Sequence, residues 1–148
     1  MTNQPAVATA LNALLADSFA LYLKTKNYHW HVTGPRFRDL HLLFDEQAAQ
    51  ILATTDLIAE RVRKNGATTL RSIGDVSRRQ SIADDDAESV DAAAMVQALA
   101  ADNRQLVDRL RAVKDAAEAD GDIATSGLVD GWVDEAQQRV WFLEATAA

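Results

Sequence analysis

The stretch from about Phe37 to Lys64 contains neither glycine nor proline and carries one helical stripe from end to end. Leu40, Leu43, Phe44, Ile51, Leu52, Leu57, Ile58 and Val62 form its apolar set. Arg61, Arg63 and Lys64 suit the negative end of the helix dipole, and Gly66 ends it. His41 and Asp56 stand fifteen residues apart on this helix. At a rise of about 1.5 Å per residue they lie roughly 22 Å from each other, and no single metal ion spans that gap. Two antiparallel copies packed about a two-fold axis near residue 48 would instead bring His41 of one to Asp56 of the other. Gln47-Ala48-Ala49-Gln50, with Ala53 one turn on, would permit close approach there. Such a contact makes the site twice. His29 lies across the turn Thr33-Gly34-Pro35, and Glu60 follows Asp56 at i+4. The spacing therefore predicts an intersubunit metal site and, with it, a dimer.

A chain of 148 residues is long enough for one domain, 1–148, with a real core. Its six glycines and two prolines favour an all-α fold. It has no cysteine, which excludes disulfides, thiolate metal sites and cysteine nucleophiles and suits a reducing cytoplasm. The start, MTNQPAVATALNALLAD, has no basic region and carries Asp17 early, so it reads as the polar cap of an amphipathic helix and not as a signal peptide. No apolar run is expected to reach the roughly 18–20 residues of a membrane span. A soluble, cytoplasmic protein with no membrane partner is the expectation. The net charge of −7 is uneven, with ten Lys/Arg against seven Asp/Glu over residues 1–80, and five against fifteen over 81–148. That balance disfavours a nucleic-acid polyanion as main partner.

Helix one is expected over about residues 5–32, through Val7, Leu11, Leu14, Leu15, Phe19 and Tyr22, with His29 extending the stripe until Gly34-Pro35 ends it. Helix two covers about 37–64. Residues 65–88 make a long connection, with a short helix over 73–79. Helix three runs from about 89 to 119 and helix four from about 123 to 145. Two helical hairpins joined by one long crossover describe a four-helix bundle of the ferritin-like kind.

Imidazole nitrogen together with carboxylate oxygen is a ligand set that iron, manganese and zinc accept. Hard carboxylates stabilise a trivalent product, and neutral imidazoles keep a divalent ion bound without excess negative charge. Asp45, one turn beyond His41, would ligate directly, through water, or by orienting an imidazole. His31 falls off the His29 face and reads as a surface residue.

The run Lys24-Thr25-Lys26-Asn27-Tyr28-His29-Trp30, then Gly34, Phe37, Leu40-His41 and Asp45, then Asp56-Leu57-Ile58-Ala59-Glu60-Arg61, resembles the Dps family, the DNA-binding proteins from starved cells or mini-ferritins. Val140-Trp141-Phe142-Leu143-Glu144 is similar to the family's last helix, so the resemblance covers nearly the whole chain. It implies a dodecameric hollow shell, a homo-oligomer that stores iron as a ferric mineral and has ferroxidase sites at two-fold interfaces. By motif, His29 and His41 would come from one subunit and Asp56 and Glu60 from its mate. Asp45 would be a further acidic residue at the site and Trp30 the tryptophan beside it, for packing or for intercepting a stray radical. The resemblance also implies oxidation of Fe(II), commonly by hydrogen peroxide, as a protection against oxidative stress.

Two departures from the family matter. Its DNA binding usually draws on a basic terminal tail, whereas the first basic side chain here is Lys24 and the chain ends Ala145-Thr146-Ala147-Ala148. Arg61, Arg63, Lys64, Arg71, Arg78 and Arg79 are the alternative footprint, or else a helix cap with surface ion pairs. Weak or absent DNA binding is expected, and a DNA-binding, nucleoid-protecting protein is the alternative reading. At the start of helix four, where the family often places acidic pore residues, Gly127 stands at an acidic position. Asp122, Asp130 and Asp134 remain as pore candidates, or as charges that complement the helix dipole.

Overall fold

A computed structural model describes residues 5–147; the outermost residues of the expected polar cap and the final alanine lie outside the described residues. Five helices follow in order: α1 Pro5–His31, α2 Phe37–Lys64, α3 Ile73–Arg79, α4 Ala92–Asp120 and α5 Ile123–Ala147. α1 pairs with α2 and α4 with α5, and α1 lies against α4, so the two hairpins close one bundle with α3 resting on α1. The all-α, four-helix architecture with a short helix in the crossover is thus the observed one.

Each turn follows from local chemistry. Gly34 takes φ 109°, a conformation closed to most side chains, and its carbonyl accepts the Phe37 amide at 3.0 Å, starting α2. Gly121 takes φ 72° at the end of α4, while the Asp122 amide reaches back to the Ala117 carbonyl at 2.8 Å. Ser72 caps α3, accepting the Asp75 amide at 3.0 Å.

α1 is the core helix. Val7, Leu11, Leu14, Leu15, Leu21 and Tyr28 are buried against Leu40, Phe44, Ile51, Ile58, Met95, Leu99, Leu106 and Leu110. Contrary to expectation, α1 is long and apolar enough on average to pass for a membrane span. Most of its large apolar side chains are spent inside the bundle, Leu23 and Trp30 excepted, and several of its polar side chains serve the crossover. Asp17, fully buried, accepts the Ser81 and Ile82 amides at 2.6 and 2.9 Å, the Ser81 hydroxyl, and Arg109 Nε at 3.1 Å. Lys24 donates to the Ala83 carbonyl at 2.8 Å and pairs with Asp102 at 2.9 Å. Asn27 donates to the Asp85 carbonyl and the Tyr28 hydroxyl to its carboxylate. These bonds fasten residues 81–85 to α1, and α4 begins at Ala92 and not near residue 89. At its other end α5 continues past the expected residue 145, to Ala147, and α1 stops one residue short of the expected 32.

Candidate metal half-site

The hairpin of α1 and α2 lays the last turn of α1 beside the first turns of α2. His29 and His41 stack there, ring centroids 3.9 Å apart and planes 12° from parallel. His29 Nδ1 lies 2.6 Å from the His41 carbonyl and His41 Nδ1 lies 2.7 Å from the His29 carbonyl. Because a carbonyl only accepts, both Nδ1 atoms carry the proton. The His29 carbonyl belongs to the last turn of α1, where the helix supplies no amide, so His41 also caps that helix. In the neutral rings both Nε2 atoms then keep their lone pairs, the form in which imidazole binds a metal. Phe37, one turn before His41, also stacks on that ring, with centroids 4.9 Å apart.

Asp45 stands at the open side of the pair, with Oδ1 3.7 Å from His29 Nε2. Lys26 Nζ lies 2.7 Å from that same oxygen and holds the carboxyl below its ordinary range. Trp30 is 57% exposed, and the Lys26 ammonium lies 5.8 Å from its ring centroid. His31 Nδ1 turns to the Asn27 carbonyl and side-chain oxygen, both at 2.8 Å, away from the pair.

Asp56 and Glu60 lie far along α2, exposed, on its outward face. Among the described residues no three His, Asp or Glu side chains of one chain gather as a metal-holding group. The same outward face carries Leu42, Ala49, Leu52, Ala53 and Leu57. Ala48 is not part of it: it is wholly buried within the chain, on the inward stripe with Phe44, Gln47 and Ile51. Of the small residues expected to permit close approach, Ala48 is therefore withdrawn, while Ala49 and Ala53 face outward.

Two of the three pore candidates are engaged within the chain. Asp122 accepts the Thr125 amide at 3.1 Å, the Thr125 hydroxyl at 2.6 Å and the Asn65 side chain at 3.0 Å. Burial raises its carboxyl, but these bonds outweigh that and leave it below its ordinary value. Asp130 is paired with Lys114 at 2.7 Å, while Asp134 is exposed. Sequence reasoning assigned no role to Lys26 or Phe37. Their spacing held the signal: Lys26 is three residues before His29 and Phe37 four before His41, so each shares a helical face with a histidine.

A family model described as a ferritin-like domain matches residues 8–148. The chain is 33% identical over 142 residues to the DNA protection during starvation protein of Brevibacillus brevis, covering 96% of this chain and 95% of that one. It is 32% identical to DNA protection during starvation protein 1 of Deinococcus radiodurans, covering 94% and 67% respectively. Among solved structures, a Dps protein from Bacillus brevis matches at a TM-score of 0.95 and 32% identity over 100% of both chains. Dps from Vibrio cholerae O1, described as a member of a broad superfamily of ferritin-like diiron-carboxylate proteins, matches at a TM-score of 0.90 and 30% identity, covering 96% and 89%.

Proposed function

Because this chain belongs to the Dps family of ferritin-like proteins, we propose that it is a ferroxidase that takes Fe(II) as substrate and stores the ferric product in a cage of 12 subunits. The reciprocal His29–His41 bonding carries the reading, since it presents two preset nitrogen donors at the chain surface. Asp56 and Glu60 of the partner subunit would complete the site across a two-fold axis, their hard oxygens favouring Fe(III) over Fe(II). Asp45 would add a third carboxylate.

With hydrogen peroxide as oxidant the balance is simple. Two Fe(II) each give one electron, the O–O bond breaks, and two protons complete two waters. Both electrons pass within one site, so no hydroxyl radical is released. Ferric product then hydrolyses and moves to the cavity, which removes iron and peroxide together and protects against oxidative stress. A cytoplasmic setting belongs to the same reading. Of the pore candidates, Asp134 has the freest position for drawing Fe(II) inward, with Asp130 tied to Lys114. DNA binding is the lesser reading: the net charge is −7, and Arg78 and Arg79 are held by Asp75.

The test is anaerobic loading with Fe(II), addition of peroxide, and ferric absorbance for wild type and His41→Ala. The variant is expected to oxidise iron at least about tenfold more slowly. Equal rates would end the ferroxidase reading.

A further inference from the structure

Lys26 sits at the edge of the half-site, paired with Asp45. Its Nζ is 2.7 Å from Asp45 Oδ1, and that oxygen is 3.7 Å from His29 Nε2. With the His29 Nδ1 proton committed to the His41 carbonyl, Nε2 of the neutral ring is an acceptor, and so is the carboxylate. Two acceptors 3.7 Å apart favour a cation beside them, and the chain supplies its own. The Lys26 side chain is only 21% exposed, so the ammonium is held at the mouth of the pair and does not range through solvent. On its other side lies the Trp30 ring, 5.8 Å from Nζ to the centroid, a face that attracts a cation.

We propose that Lys26 is a built-in counter-ion that occupies the metal-free half-site and competes with a divalent cation for Asp45. The proposal rests on His29 and His41 being a metal half-site. A divalent ion held by His29 and His41 would repel the ammonium and draw on its carboxylate, so Lys26 would yield Asp45 as the metal arrives. The Trp30 face gives the displaced charge a place to rest. Without metal, the ammonium offsets Asp45, which in the pair would lie beside Asp56 and Glu60 of the partner subunit. Three uncompensated carboxylates in one cleft repel one another. Lys26 therefore weakens metal binding and strengthens the metal-free assembly, two opposite effects from one charge.

Co(II) titration by calorimetry and sedimentation of the metal-free protein on dilution separate these effects in wild type, Lys26→Met, Lys26→Arg and His41→Ala. Methionine keeps most of the stem and removes the charge. Lys26→Met is expected to bind Co(II) about fivefold more tightly, or about 1 kcal/mol. Its metal-free form is expected to dissociate at low salt under conditions where the wild type stays assembled, and to reassemble when salt or Co(II) is added. Lys26→Arg, which keeps the charge, is expected to follow the wild type in both measurements. Unchanged Co(II) affinity in Lys26→Met, or metal-free assembly as firm as that of the wild type, overturns the counter-ion role. If wild type and His41→Ala bind Co(II) equally, the half-site reading itself has failed.

Discussion

A buried hydroxyl beside a carboxylate gains most when that carboxylate is charged, and the Tyr28–Asp85 pair shows the consequence. Tyr28 is 1% exposed and its hydroxyl donates to Asp85 across 57 residues of chain, tying the crossover to α1. That bond, joined by one from the Ala87 amide, holds the Asp85 carboxyl below its ordinary value. Burial, with the Asp85 charge added, pushes the Tyr28 hydroxyl up, so it stays protonated as donor. A carboxyl depressed in the folded chain contributes stability that is complete above its unfolded value and is lost as pH falls through the folded one. Tyr28→Phe is therefore expected to cost about 1 kcal/mol near neutral pH. That difference should begin to shrink below the ordinary carboxylate range, about pH 4, and vanish as pH falls through the lower folded value of the wild type. Urea midpoints measured across that range check it, and a gap that stays constant down to pH 2 would contradict it. Asp102 acts in the opposite sense. Burial raises its carboxyl more than Lys24 lowers it, so its contribution is greatest in acid and fades as pH rises. These polar residues were not legible as partners of the crossover, because their acceptors lie more than fifty positions away and no periodicity records that distance.

Helices whose ends are set by neighbouring residues were the easiest to read. α2 and α3 begin and end where the sequence places them, since Gly34-Pro35, Gly66 and Ser72 act over three or four residues. The start of α4 was not legible, because the non-helical segment before it is fastened at Ser81, Ile82, Ala83 and Asp85 by side chains of α1. α5 shows how one residue can be given two readings. Asp122 was a candidate for a pore and also for a dipole charge, and its hydrogen bonds make it the N-terminal cap, with Asn65 joining the end of α2 to the same carboxylate. Asp122→Ala should cost about 1 kcal/mol and lower Tm by about 3 °C. Iron uptake per assembled cage should be unaltered if the cap is its whole role. A loss of uptake at unchanged stability would return Asp122 to the pore. Further along, Arg139 fastens α5 inside the bundle. Its Nε donates to Asn103 at 2.7 Å, its carbonyl accepts from Gln47, and burial pulls the guanidinium down to about 10 without discharging it.

The proposed ferroxidase site, shared between two chains, would make a demand on the assembled molecule that no single-chain site would make. His29 and His41 are gathered by one hairpin, whereas Asp56 and Glu60 face outward further along the same helix. What is legible of the candidate ligands is their separation, because spacing on an unbroken helix is a length, about 1.5 Å for each residue. Which small residues face outward was not legible: Ala48 and Ala49 are adjacent in sequence, but a step of about 100° around a helix turns one inward and the other out. Ala49→Arg should accordingly prevent pairing and abolish iron oxidation while leaving every ligand and the helical content in place. Complementation makes the sharper test. One variant carries His29→Ala with His41→Ala, the other Asp56→Ala with Glu60→Ala, and each alone should be inactive. In a mixed pair one site has lost all four ligands, but the other takes its histidines from the second variant and its carboxylates from the first. Random reassembly of equal amounts should thus restore about one quarter of the sites. A site contained in a single chain would restore none, and peroxide-driven ferric absorbance of the reassembled mixture distinguishes the two.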